Sequence, residues 1–180
     1  MNLCIYGASS NEIDSVYLES GYALGLAMAK RGHGMVFGGG NTGLMGTAAR
    51  GMTDGGGRIT GIAPGFFNKP GVLYQKCSEL IFTETMRERK ALMEEKSDGF
   101  IMTPGGIGTY EEFFEILTLK QVGRHKKPIG ILNAGGYYNQ LEALLKMTAS
   151  RGFMHESCLD LYYITDNPEN LLDYMEGINE

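Results

Sequence analysis

Two glycine-rich runs, each placed directly after a short apolar run, constrain the fold of this chain more than any other feature. Met35–Phe37 leads into Gly-Gly-Gly-Asn-Thr-Gly at 38–43, the first glycine loop, and Phe100–Thr103 leads into Pro-Gly-Gly-Ile-Gly-Thr at 104–109, the second glycine loop. The chain holds 27 glycines in 180 residues. Because they gather at the ends of apolar runs, they indicate backbone brought close to a ligand and not a flexible linker.

Short apolar runs alternate along the chain with longer stretches of helical periodicity. The predicted strands are Leu3–Tyr6, Met35–Phe37, Ile59–Ala63, Glu79–Thr83, Phe100–Thr103, Pro128–Leu132 and Leu161–Ile164. The predicted helices are Ile13–Lys30, Leu44–Thr53, Thr85–Lys96, 107 to about 121, Tyr138–Ser150 and a last one opening at Asn167-Pro168-Glu169. This alternation predicts a single domain over residues 1–180 with a doubly wound, Rossmann-like α/β fold, a parallel sheet with helices on both faces. Ligands of such sheets lie beyond the carboxyl ends of the strands, where both glycine loops fall.

Composition excludes several classes of partner. The formal net charge is −5 and no block of basic residues occurs, which argues against nucleic-acid binding. No stretch approaches the roughly 20 apolar residues of a membrane span, and the N-terminus lacks the pattern of a signal peptide. The three cysteines are far apart and the three histidines are isolated, so we expect no metal site and a reducing, cytoplasmic location.

The first glycine loop matches the dinucleotide fingerprint Gly38-x-Gly40-x-x-Gly43 in letters only. It follows the second strand, and residues 58–63 supply no acidic side chain for a ribose. A tight turn for helix–sheet packing and a cradle for phosphate or ribose both remain open, and we favour the cradle. The second glycine loop is more informative, because its unobstructed amides precede a helix and Thr109 adds a hydroxyl. It predicts a phosphate site, with a purely structural turn as the alternative.

Helical spacing sets one glutamate and one arginine apart from their neighbours. Glu112 points between Ile116 and Leu119, where a carboxylate is poorly solvated unless it lines a cleft or meets a cation. On the preceding helix Arg89 projects among apolar residues in the same way, so the two side chains could converge. They would then form either a site or a buried structural ion pair. The expected core face of the later helix comprises Tyr110, Phe113, Phe114 and Leu117, with Glu111 and Glu115 in solvent.

Three segments resemble the signatures of the LOG (Lonely Guy) family, which are cytokinin riboside 5′-monophosphate phosphoribohydrolases often mislabelled lysine decarboxylases. They are GGGNTGLMG at 38–46, MRERK at 86–90 and PGGIGTYEE at 104–112. The resemblance covers nearly the whole chain and implies a Rossmann-like homodimer without a cofactor that converts a nucleoside 5′-monophosphate to free base and ribose 5-phosphate. It places the family's catalytic arginine and glutamate on Arg89 and Glu112. A decarboxylase would need pyridoxal phosphate on a lysine, for which the sequence shows no convincing site.

We therefore assign catalysis to Arg89 and Glu112 and expect a nucleoside 5′-monophosphate as substrate, with the identity of its base open. Ser9 could contact the ligand, or Ser9-Ser10 could cap the next helix. Two alternatives to hydrolysis remain, a non-catalytic nucleotide or cofactor carrier and a subunit whose main role is assembly. The residues predicted to bind substrate are Ser9, Gly39, Gly40, Gly43, Met86, Arg89, Lys90, Gly105, Gly106, Gly108 and Thr109.

Overall fold

The structure is a computed structural model that describes residues 1–177, in which strands and helices alternate. The strands are β1 (Asn2–Tyr6), β2 (Gly34–Phe37), β3 (Ile59–Pro64), β4 (Glu79–Thr83), β5 (Gly99–Met102), β6 (Ile129–Leu132) and β7 (Tyr163–Thr165). The α-helices are α1 (Ser15–Lys30), α2 (Gly43–Asp54), α3 (Met86–Glu95), α4 (Ile107–Gln121), α5 (Asn139–Ser150) and α6 (Pro168–Met175). Among these helices, none is long and apolar enough to cross a membrane.

All seven strands pair in parallel, in the order β4-β3-β2-β1-β5-β6-β7. The chain runs outwards from β1 in one direction and then resumes at β5 on the other side of it. The carboxyl ends of β1 and β5 therefore flank the crevice where this class of fold binds ligands. The predicted doubly wound α/β fold is confirmed.

Each face of the sheet is covered by its own helices, because successive side chains of a strand point to opposite faces. On β1, Leu3 and Ile5 lie in an apolar cluster with residues of α1, α2 and α6. Cys4 and Tyr6 lie on the other face, with residues of α3, α4 and α5. This division decides that α3 and α4, which carry Arg89 and Glu112, share one face of the sheet.

The structure fixes where β7 begins and which residues precede α1 and α3. The seventh strand begins at Tyr163, because residues 156–161 wind into a 3₁₀ helix that takes up the predicted first residue of the strand. Ser9 and Ser10 do not cap α1, which is preceded by Asp14. Thr85 caps α3, its side chain accepting a hydrogen bond from the amide of residue 88.

The prediction that Phe114 belongs to the core face of α4 is wrong. Phe113, Ile116 and Leu117 are buried, whereas Phe114 is 38% exposed, with its ring edge-on to that of Phe113 at a centroid distance of 5.2 Å. One residue turns a helix by about 100°, which carries Phe114 past the edge of the buried arc.

Candidate active site

Arg89 of α3 and Glu112 of α4 meet in a buried ion pair. Arg89 Nη1 donates to Glu112 Oε1 at 3.0 Å, and the two side chains are 9% and 13% exposed. Arg89 Nε donates to the carbonyl of Ile62 in β3 at 3.2 Å, which fixes the guanidinium against the sheet. The convergence expected from helical spacing is observed.

The lack of a side chain at Gly38, the first residue of the first glycine loop, leaves room for the guanidinium of Arg89. A Cβ at this position would overlap Arg89 Nη2. The sequence analysis missed this role, because the two residues are 51 positions apart and sequence spacing does not show that the Arg89 side chain packs against Gly38. The glycine therefore belongs to the geometry of the ion pair.

The charge state of Glu112 is set by opposing effects. Burial raises the pKa of this carboxyl above its usual value, and the Arg89 cation offsets part of that rise. A carboxylate of this kind takes up a proton more readily than one in water, as a general acid or base requires. A cavity of about 100 Å³ adjoins it, lined by Tyr6, Arg87, Lys90, Ala91, Glu94, Glu115 and Ile116.

The second glycine loop presents backbone amides at the start of α4. We call the N–H groups of residues 106–109 the amide nest. Within residues 1–177 none of the four has a hydrogen-bond acceptor, and no atom comes within 4 Å of a Cβ built on Gly106 or Gly108. Gly105 is buried, and a Cβ there would overlap Thr109 Oγ1. These open donors at a helix N-terminus suit an anion.

The first glycine loop is held largely by the protein itself. Gly39 and Gly43 are buried with φ of 76° and 65°, which favours glycine, and the amide of Gly43 donates to Asn11 Oδ1 at 2.8 Å. The amide of Asn41 donates to the carbonyl of Val72 at 2.9 Å. The geometry of this loop favours the tight turn over the cradle at Gly39 and Gly43. Substrate contact there, and at the half-buried Gly40, stays a prediction.

The remaining predicted binding residues surround the ion pair or the strand edge. Lys90 is bonded to Glu111 and, at 2.9 Å, to Glu115. Met86 is exposed at the first turn of α3, and Ser9 is exposed, its carbonyl accepting from Thr42 Oγ1 at 2.6 Å. None of these contacts identifies a ligand, so their binding roles stay predictions.

The histidines and cysteines lie in separate environments. His33 Nε2 is 2.6 Å from Glu176 Oε1, and His125 Nε2 is 3.0 Å from the carbonyl of Ile116. The three cysteines are unpaired. In the part of the chain that the structure describes, no cluster of three or more His, Cys, Asp or Glu side chains is placed to hold a metal ion.

Comparison with known proteins finds one matching family model and plant relatives that share one name. The family model described as "Possible lysine decarboxylase" matches residues 45–175. A rice protein named probable cytokinin riboside 5′-monophosphate phosphoribohydrolase LOGL1 is 36% identical, over 97% of this chain and 78% of the relative. Cytokinin riboside 5′-monophosphate phosphoribohydrolase LOG2 of Arabidopsis thaliana is 33% identical, over 97% of this chain and 82% of the relative.

Solved structures show the same fold. The molybdenum cofactor binding protein of Rippkaea orientalis superposes with a TM-score of 0.76 at 23% identity, covering 99% of this chain and 97% of that one. A Moco carrier protein of Chlamydomonas reinhardtii gives 0.74 at 20% identity, over 98% and 96%. At these identities the likeness concerns architecture alone. The family model and the plant relatives together show that this chain belongs to the LOG family of nucleotide phosphoribohydrolases, hydrolases that act on N-glycosyl bonds.

Proposed function

We propose that this protein hydrolyses the N-glycosidic bond of a nucleoside 5′-monophosphate, AMP or a cytokinin riboside 5′-monophosphate, to free base and ribose 5-phosphate. The observation that carries the proposal is the buried Arg89–Glu112 pair on the sheet face next to the amide nest. The names of the plant relatives agree with this substrate class.

In the proposed reaction the bond between C1′ and the base nitrogen breaks, and its electron pair leaves with the base. Positive charge develops on the ribose ring, and the oxygen of a water molecule forms the new bond to C1′. Glu112 stabilises that charge or accepts the proton of the attacking water, and the base gains a proton as it departs. Arg89 holds the carboxylate in position through the 3.0 Å contact.

The amide nest is assigned to the 5′-phosphate. A protein with a net charge of −5 can still hold a phosphate where backbone dipoles supply the attraction. The phosphate-binding contact is remote from the bond that breaks, so its role is to orient the sugar over Glu112.

The test is Glu112→Gln, with chromatography of incubations containing AMP or N6-isopentenyl-AMP. We expect base release to fall by about 10²–10⁴-fold, because the amide can neither accept the proton nor carry the charge. Nucleotide affinity should change little, since phosphate binding is elsewhere. Glu95→Gln, an exposed change near the end of α3, is the matched control and should keep full activity.

Three other results would each contradict the proposal. Equal turnover by Glu112→Gln would remove the glutamate from the mechanism and leave Arg89–Glu112 a structural ion pair. Nucleotide binding by the unaltered protein without base release would identify a carrier. Neither binding nor turnover would leave only a role in assembly.

We also propose a homodimer and a cytoplasmic location. The cavity beside Glu112, about 100 Å³, is smaller than the roughly 300–1,000 Å³ of small-molecule sites, so a substrate there would need further cover. A second copy could provide it through the apolar side chains exposed on α4 and α5, which include Phe114, Leu144 and Met147. The three unpaired cysteines support a reducing compartment.

A further inference from the structure

The carbonyl groups of the segment that leads into the amide nest all accept hydrogen bonds from other parts of the chain. Each of four successive peptides, from residue 103 to residue 106, has its oxygen bonded to another part of the chain. The contacts are Tyr138 Oη to Thr103 O at 2.7 Å, Ala8 N to Pro104 O at 3.0 Å, Tyr137 Oη to Gly105 O at 2.9 Å and Tyr110 N to Gly106 O at 3.1 Å. Two of the four donors are neighbouring tyrosines just before α5.

Holding a carbonyl also aims the amide of the same peptide. In a trans peptide the C=O and N–H bonds point in opposite directions, and no cis bond occurs in residues 1–177. When the Tyr137 hydroxyl fixes Gly105 O, it therefore turns the N–H of Gly106 to the opposite side. That amide is exposed and without an acceptor among the described residues.

Thr109 supplies a second sign that this place receives a ligand. The residue is only 4% exposed, yet its hydroxyl has no hydrogen-bond partner among residues 1–177. Among residues 1–177, every fully buried side-chain oxygen or nitrogen has a hydrogen-bond partner. Since Thr109 Oγ1 has none, that atom must be in contact with solvent. It lies against Gly105, beside the amide nest. A hydroxyl that has no protein partner and reaches solvent at this place is free to donate to an anion bound by the amide nest.

The ring of Tyr137 is held independently of its hydroxyl. It follows Gly135 and Gly136, whose φ values of 60° and 73° turn the chain back after β6. Its ring packs edge-on against Tyr17 at 5.5 Å and against Tyr138 at 4.9 Å. Removing only the hydroxyl leaves these ring contacts, so Tyr137→Phe tests the hydroxyl itself, which donates to Gly105 O and also interacts with the Tyr110 side chain.

We propose that Tyr137 is a positioning residue for the 5′-phosphate, acting through Gly105 O to hold the Gly106 amide towards the anion. This inference rests on the proposed function, because the amide nest is assigned there to the phosphate. Tyr137 contacts no reacting atom, so it affects how tightly the phosphate is held and not the chemical step.

The test is Tyr137→Phe, measured by KM and kcat with AMP, by the inhibition constant of inorganic phosphate, and by Tm. Loss of one hydrogen bond that orders the loop is expected to raise KM and the phosphate inhibition constant together, by about three- to tenfold. The kcat at saturation should stay within about twofold, since the chemistry is untouched. Tyr22→Phe is the matched control, because it removes a phenol hydroxyl that donates to Asp54 on the exposed side of α1.

The outcomes separate this inference from the proposed function. If the unaltered protein releases base and is inhibited by phosphate, but Tyr137→Phe matches Tyr22→Phe in both constants, Tyr137 has no positioning role. A fall in kcat with an unchanged phosphate constant would overturn the inference as well. If the unaltered protein neither releases base nor responds to phosphate, the proposed function itself fails. Calorimetric titration with inorganic phosphate gives the same comparison without relying on turnover.

Discussion

At the scale of single residues, the environment of Glu112 decides what the ion pair can do. Taking a carboxylate and a guanidinium out of water costs free energy that their attraction repays only when the geometry is good. Here Arg89 divides its donors between Glu112 Oε1 and the carbonyl of Ile62, so the carboxylate receives a single bond from it. Burial raises the pKa of Glu112 and this bond offsets only part of the rise, so the group is kept ready to exchange a proton.

The pH dependence of kcat/KM tests this state of Glu112. Activity is expected to need the ionised carboxylate, so it should fall as the pH drops through the pKa of Glu112. Because burial raises that pKa despite Arg89, the acid limb should lie at higher pH than the range of a free glutamate side chain. The measurement is a pH–rate profile with AMP, and the same profile for Glu95→Gln provides the control. A limb within the ordinary carboxyl range would argue that another group titrates.

Sequence alone could reach some of these residues and not others. Arg89 and Glu112 were predictable, because helical phase places each charge among apolar neighbours on its own helix. Gly38 and Tyr137 were not, since each acts on a group that only the fold brings near. The Gly-Gly-Tyr-Tyr run at 135–138 was the available signal, a third glycine-rich segment placed after a strand at the ligand edge of the sheet.

At the scale of elements, α1 and α2 pack through glycines. A Cβ on Gly25 would overlap the carbonyl of Ala48, and one on Gly51 would overlap the carbonyl of Tyr22. Among the apolar residues of α1, Leu24 and Ala27 are buried, whereas Val16 and Ala23 are exposed. Periodicity detects apolar side chains, whereas this contact depends on their absence. For the same reason the strands, whose apolar runs are explicit, were predicted more closely.

Gly51→Ala is expected to destabilise the protein although alanine is the better helix former. Intrinsic propensity favours alanine by about 1 kcal/mol, whereas forcing the two backbones apart costs about 1–3 kcal/mol and should prevail. The measurement is the free energy of unfolding in urea. Ala23→Gly, at an exposed position of α1, calibrates the propensity effect. Increased stability of Gly51→Ala would show that the helices can move apart freely.

At the scale of the whole molecule, the proposed homodimer predicts a mass in sedimentation equilibrium about twice the 19.7 kDa of one chain. Leu144→Glu should shift the protein towards the single-chain mass with little change in Tm, because it places a charge on the exposed face of α5. Ala23→Glu, on the exposed side of α1, should not. A single-chain mass for the unaltered protein at micromolar concentration would contradict the dimer.

The central place of β1 in the sheet has a consequence for synthesis. Of the seven strands it is synthesised first, and β2, β3 and β4 can add to one side of it in chain order. Its other neighbour, β5, is not made until residue 102, and Tyr137 follows only after β6. Since the chain is synthesised from its N-terminus, the residues on the Gly38 side of the crevice are made long before those on the phosphate side. We expect a nascent chain stalled before residue 99, which carries only β1–β4 and lacks both Glu112 and the amide nest, to have no nucleotide affinity.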